Sequence, residues 1–106
     1  MKRFNEFQLD TGQECLWSGN VRLSLTRKAF AVLNCLVDNA GRIVSKDELM
    51  DQVWPGTYVG EENLKVHIRE LRALLGDRAA QPAYIQTYRD KGYCFIAPVT
   101  DGAIDG

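Results

Sequence analysis

Between Glu6 and Leu25, apolar and polar positions alternate. Phe7 and Leu9 are separated by Gln8 and flanked by Glu6 and Asp10. Leu16 and Trp17 follow, and Val21, Leu23 and Leu25 then alternate with Arg22 and Ser24. The turn-forming sets Asp10-Thr11-Gly12 and Ser18-Gly19-Asn20 divide these runs. The pattern predicts a meander of short antiparallel strands with one buried and one wet face. From Thr26 the period lengthens. Ala29, Phe30, Leu33, Leu36 and Val37 recur at helical spacing. Thr26 is placed to accept from the first orphan backbone amides, and Gly41 to end the helix in a left-handed cap.

A second helix opens at Ser45. Glu48, three residues on, completes a capping box in which each residue satisfies one of the other's amides. Leu49, Met50 and Val53 supply its buried stripe, and Pro55-Gly56 stop it. After a loop from Trp54 to Gly60, a third helix is predicted from Glu61 to Leu75. Leu64, Ile68, Leu71 and Leu75 lie on one face, and Gly76 closes it. The connector Asp77 to Pro82 leads to a hairpin with arms Tyr84–Tyr88 and Tyr93–Ile96. Its turn is Arg89-Asp90-Lys91-Gly92, with Gly92 suited to positive φ. Strands, three helices with a short capped one before a longer amphipathic one, then a charged-tip hairpin: this order is the sequence form of a winged helix-turn-helix. The fold class is α+β, with an N-terminal antiparallel sheet and a C-terminal hairpin wing. Residues 1–98 form the domain and 99–106 a polar tail or linker.

Composition narrows the function classes. At 106 residues, with 45% apolar and 25% charged residues, the chain has room for one core. No apolar run approaches the ~18 residues needed to cross a bilayer. The first ten residues carry Lys2 and Arg3 with no apolar stretch behind them, so no signal peptide is expected and the expected location is cytoplasmic. Cys15, Cys35 and Cys94 are odd in number and far apart, as buried free thiols would be. The charge balance runs against a simple nucleic-acid reading. Thirteen Lys and Arg face 14 Asp and Glu, for a net of −1, whereas DNA-binding domains are usually basic. Positive potential must then come from local placement.

The third helix offers such a placement. Opposite its leucine stripe lie Glu62, Val66, Arg69, Glu70 and Ala73, with Lys65 and Arg72 on one flank and Asn63 and His67 toward the other. Arg pairs with guanine O6 and N7, Asn with adenine, and a Val methyl packs on the thymine methyl. The bland alternative is a solvated face of mixed charge. The hairpin adds Thr87, Arg89 and Lys91. A basic fingertip suits the negative potential of a minor groove, although Asp90 reduces its charge. Catalysis finds little support. Asp10-Thr11-Gly12 matches the aspartic-protease triplet, whose two carboxylates share a proton, but the same residues make an ordinary turn and residues 26–75 are helical. His67 and the cysteines lack metal-ligand spacing. No enzyme activity, cofactor or metal is expected.

At these positions the chain resembles the OmpR/PhoB-type winged-helix domains, the effector half of many bacterial response regulators. The resemblance rests on "LT" at Leu25-Thr26, "NAGRIVSKDEL" from Asn39, "VW" at Val53-Trp54, "VHIRELR" from Val66 and "IQTYRDKGYCF" from Ile85, across about residues 4–97. It implies a four-stranded N-terminal sheet, three helices and a C-terminal hairpin, and sequence-selective binding of double-stranded DNA for bacterial transcription regulation, with the third helix in the major groove. Asn63, Val66 and Arg69 then match positions facing bases or the adjoining backbone, His67 and Arg72 match phosphate contacts, and Thr87 and Arg89 match phosphate and minor-groove contacts, with Lys91 beside them. Trp54, Pro55, Gly56, Thr57, Tyr58 and Val59 match a loop that touches RNA polymerase. Binding as a homodimer is the family habit. The ending "GYCFIAPV" resembles the subgroup in which this domain comes first and a sensory, repeat or membrane-anchored portion follows; this chain itself is expected to make no membrane contact. Glu70, also a candidate for DNA contact, departs from the pattern, standing where strong binders often have Arg; it is able to accept from cytosine N4, to pair with a neighbouring Arg, or to mark a weak binder. Asp90 and the acids Glu61 and Glu62 depart too. They favour modest intrinsic affinity that depends on dimerisation or a partner portion, or a winged helix used for protein contact instead.

Overall fold

The computed structural model describes residues 1–101. The N-terminal alternation yields β1 (Lys2–Phe4), β2 (Phe7–Asp10), β3 (Cys15–Ser18) and β4 (Val21–Leu23), paired in sequence as an antiparallel meander. Phe4, Phe7, Leu9 and Leu16 are buried, as period two requires. Val21 does not follow the rule. It is 61% exposed because β4 lies at the edge of the sheet, beyond the helices' cover. A fifth strand, β8 (Thr100–Asp101), pairs with β1 at Lys2 and Arg3, giving the order β4-β3-β2-β1-β8. The segment expected as a polar tail therefore contributes two residues to the sheet, and its remainder, 102–106, lies outside the described residues.

Helix α1 (Arg27–Asp38) starts where Thr26 Oγ1 accepts from Ala29 N. It buries Ala29, Phe30, Val32, Leu33, Leu36 and Val37, and is the central helix of the core. Its end differs from expectation. The C-cap is Asn39, at φ −113°, and the left-handed Gly41 (φ +86°) sits two residues later. Asn39 Nδ2 donates to Cys35 O at 2.8 Å, so a side chain satisfies the terminal carbonyl and no left-handed residue is needed there. Gly41 instead turns the chain into β5 (Ile43–Ser45), a strand the apolar pattern did not signal.

Helix α2 (Lys46–Val53) has half of its expected capping box. Ser45 Oγ accepts from Glu48 N at 3.0 Å, but the Glu48 carboxylate turns outward to Arg42 at 2.9 Å. Helix α3 (Glu61–Leu75) has the predicted bounds and the predicted buried face, Leu64, Ile68, Leu71 and Leu75, with Gly76 left-handed at its end. The wing is β6 (Ile85–Tyr88) and β7 (Gly92–Phe95), and β5 joins it to make a second sheet ordered β5-β7-β6. Gly92 takes the expected positive φ (+157°), and Asp90, two residues before it, is also positive (φ +63°). Gly92 is required for another reason. It pairs with Ser45, and a Cβ there would collide with the Val44 carbonyl and stand 2.9 Å from Ser45 Cα.

Aromatic packing joins the two sheets. Phe4 meets Phe95 edge-on at 4.8 Å between centroids, Phe7 meets Tyr84 at 5.6 Å, and Asn5 Nδ2 donates to the Tyr84 hydroxyl at 3.0 Å. No described helix is long and apolar enough to cross a membrane.

Candidate nucleic-acid interface

Leucine and isoleucine anchor the inner face of α3, so its outer face is fixed. Asn63, Val66, Arg69 and Glu70 are exposed there, Val66 at 43%. The helix begins without a side-chain cap, since Gly60 is the N-cap. Glu61 and Glu62 in its first turn offset the positive end of the helix dipole. Both acids are paired. Glu61 meets Lys46 at 2.9 Å, across from the start of α2, and Glu62 meets Lys65 at 3.7 Å. The Lys46 ammonium holds the Glu61 carboxyl below its ordinary range, and Glu61 in turn raises Lys46. The negative charge that sequence placed at the helix start is thus largely compensated within the fold.

The flanks of α3 are tied to their neighbours. Arg72 Nη2 donates to Ile85 O at 2.9 Å and Thr87 Oγ1 at 2.8 Å, bridging α3 to the first wing strand. Its Nε is buried without a partner among the described residues. Arg72 and Thr87 are thus engaged with each other. On the opposite flank, His67 Nδ1 donates to Glu70 Oε1 at 3.1 Å, and its ring packs against Trp54 at 5.8 Å. The His67 side chain is only 17% exposed, so it is more a wall of the helix than a projecting cation.

The wing turn carries Arg89, Asp90 and Lys91, all exposed, with Lys91 N donating to Tyr88 O. A groove of about 520 Å³ between α3 and the wing is lined by Lys65, Arg69 and Arg72, with Asp77 and Tyr93 opposite. Asp77 is a residue the sequence reading passed over. Its carboxylate accepts from Ala83 N at 2.7 Å and Ile85 N at 2.8 Å, and so sets where the wing departs. Its position straight after the Gly76 cap was the available signal, because Asp commonly binds backbone amides in turns.

In the α2–α3 loop, Trp54 is half-buried. Lys28 Nζ lies 5.8 Å from its ring centroid and also donates to Val53 O at 2.8 Å. Pro55, Gly56 and Thr57 are exposed, Val59 is half-buried, and Tyr58 is 96% exposed. Elsewhere, Asp10 Oδ1 accepts from Gly12 N and Gln13 N, so the Asp-Thr-Gly triplet has the hydrogen bonds of a strand-connecting turn.

This geometry has parallels among known proteins. Residues 20–95 match the family model described as "Transcriptional regulatory protein, C terminal". Sensory transduction protein RegX3 of Mycolicibacterium smegmatis is 36% identical over 72 residues, covering 67% of this chain and 32% of that protein. Transcriptional regulator HilA of Salmonella typhi is 38% identical over 96 residues, covering 91% of this chain and 17% of that protein. The chain therefore spans well under half of these relatives. Among solved structures, the DNA-binding domain of Escherichia coli CadC superposes with a TM-score of 0.80 at 26% identity, covering 93% of this chain and 94% of that one. The Klebsiella pneumoniae RstA DNA-binding domain, solved in complex with the RstA box, gives 0.79 at 30% identity, covering 89% and 94%.

Proposed function

The chain belongs to the OmpR/PhoB-type family of transcriptional regulatory DNA-binding domains, and from that premise we propose that it reads a specific double-stranded DNA site with α3 in the major groove and the wing at the minor groove. The observation that carries this is the open face of α3. Asn63, Val66, Arg69 and Glu70 stand clear of the core on a helix held by its buried stripe, by Arg72 to the wing and by His67 against Trp54. Arg69 and Asn63 have the donors for base edges, and Val66 the methyl groups for thymine. Arg89 and Lys91 supply cations at the wing tip. His67, Arg72 and Thr87 act mainly by holding this frame, with any phosphate contact made by the donors left over. Tyr58 and its neighbours from Trp54 to Val59 form the surface for RNA polymerase, and two copies on adjacent half-sites supply the affinity that a net charge of −1 withholds from one.

Fluorescence anisotropy against selected duplexes, at rising salt, tests the reading. Phosphate contacts require affinity to fall at least about tenfold between 50 and 200 mM salt. The acids on α3 favour a second reading, a winged helix that binds protein. Failure to bind any duplex at low salt would end the first reading and leave the second.

A further inference from the structure

We infer that Glu70 is a specificity residue that selects cytosine, accepting from its N4 amino group in the major groove; this rests on the DNA-binding reading above. The three acids of α3 are not equivalent. Glu61 and Glu62 face permanent cations, Lys46 and Lys65. Glu70 has no such cation: the His67 imidazole gives one hydrogen to Oε1, and the side chain also borders a cleft with Ser24, Thr26 and Ala29 at the start of α1. Among the described residues Oε2 has no partner, and the side chain is 48% exposed on the same outer face as Val66, one turn away.

A carboxylate so placed cannot sit against a duplex indifferently. Pressed among phosphates and base acceptors, it is repelled unless a donor meets it. The major groove offers two amino donors, on cytosine N4 and adenine N6. Adenine sets its N7 acceptor beside the amino group, where a second carboxylate oxygen is repelled. Cytosine carries no acceptor on its own major-groove edge, the nearest being O6 of the paired guanine, and guanine and thymine present no donor there to this side chain. His67 makes the arrangement selective. Held against Trp54 and mostly buried, it fixes Glu70 Oε1 and so leaves Oε2 in a defined direction. His67 is a positioning residue here. Val66 lies four residues before Glu70, about 6 Å along the helix. The cytosine should therefore fall within one or two base-pair steps of the position Val66 contacts.

Selection from random duplexes, run in parallel on the wild-type chain, Glu70→Ala and Glu70→Gln, tests this. The wild type should enrich a cytosine at one position of each half-site. Glu70→Ala should lose preference at that position while keeping the others, which shows that the variant is folded. Glu70→Gln should turn the preference toward adenine, since an amide can both accept from N6 and donate to N7. Replacing that cytosine by 2-pyrimidinone, which lacks the amino group, should weaken the wild type roughly tenfold and leave Glu70→Ala unchanged. If all three proteins enrich the same bases at every position, Glu70 does not read the site, although DNA binding stands. If the wild type enriches nothing, both readings fall together.

Discussion

At Gly92 the wing strand β7 runs so close to β5 that a single methyl group would displace backbone. Gly92→Ala should therefore cost about 2–4 kcal/mol, seen as a lowered midpoint in urea denaturation followed by tryptophan fluorescence. Two positions earlier, Asp90 accepts a left-handed conformation at the wing tip (φ +63°). Asp tolerates that region better than most residues, so Asp90→Gly should change stability by less than about 1 kcal/mol. It also removes an anion from between Arg89 and Lys91, and affinity for a specific duplex should rise about two- to fivefold at low salt. The sequence marks this turn and the positive φ of Gly92 (+157°), but not that of Asp90. The second need for glycine at 92 arises from a strand distant in sequence and leaves no local mark. The surroundings of His67 are legible only in part. Its spacing on the helix is visible in the chain, while the Trp54 ring that covers it comes from another loop.

Between elements, the tie from α3 to the wing governs how the two parts of the interface are aligned. Arg72→Leu removes both bonds to β6 and should cost about 2 kcal/mol of stability. If the tie aims the wing, the loss on replacing Arg89 by Ala should shrink to a third or less in the Arg72→Leu background. A double-mutant cycle in anisotropy measures that coupling; additive losses would make Arg72 an independent contact. The bridge from α2 to α3 gives a pH signature. Glu61 is held below its ordinary carboxylate range by Lys46, so its contribution is intact at neutral pH and disappears as pH falls through the lowered value. Lys46 is raised, so its side of the pair weakens only in strong alkali. Lys46→Met should lower Tm at pH 7 by about 1–3 °C and by less at pH 3. Elements with a local grammar were readable in advance: the Thr26 and Ser45 caps, the leucine stripe of α3, and Gly76. Strands β5 and β8 were not, because three residues and two residues hold no periodicity and exist only through their partners.

For the whole molecule, a net charge of −1 is compatible with binding DNA because the charges are not spread evenly. Glu61 at the start of α3 is matched by Lys46 and Glu62 by Lys65, while Arg69 and Arg72 lie along one groove and Arg89 and Lys91 at the tip. Composition alone conceals such local placement, which is why the charge count argued against a function that the element order supported. The architecture as a whole was legible, since the meander, the three helices and the hairpin each follow from hydrophobic spacing. The join between the sheets, through Phe4, Phe95 and Tyr84, was not, since it depends on tertiary approach alone.

The pairing of β8 with β1 brings the Met1 amine within 3.8 Å of the Asp101 carboxylate. Within this domain, a short flexible linker from residue 101 to residue 1, with a new opening at the exposed Ala79-Ala80 peptide, should then give a circular permutant. That rearranged protein should melt cooperatively and retain the parent's affinity for its duplex, because the order in which the ribosome makes these parts has no bearing on where they finally lie.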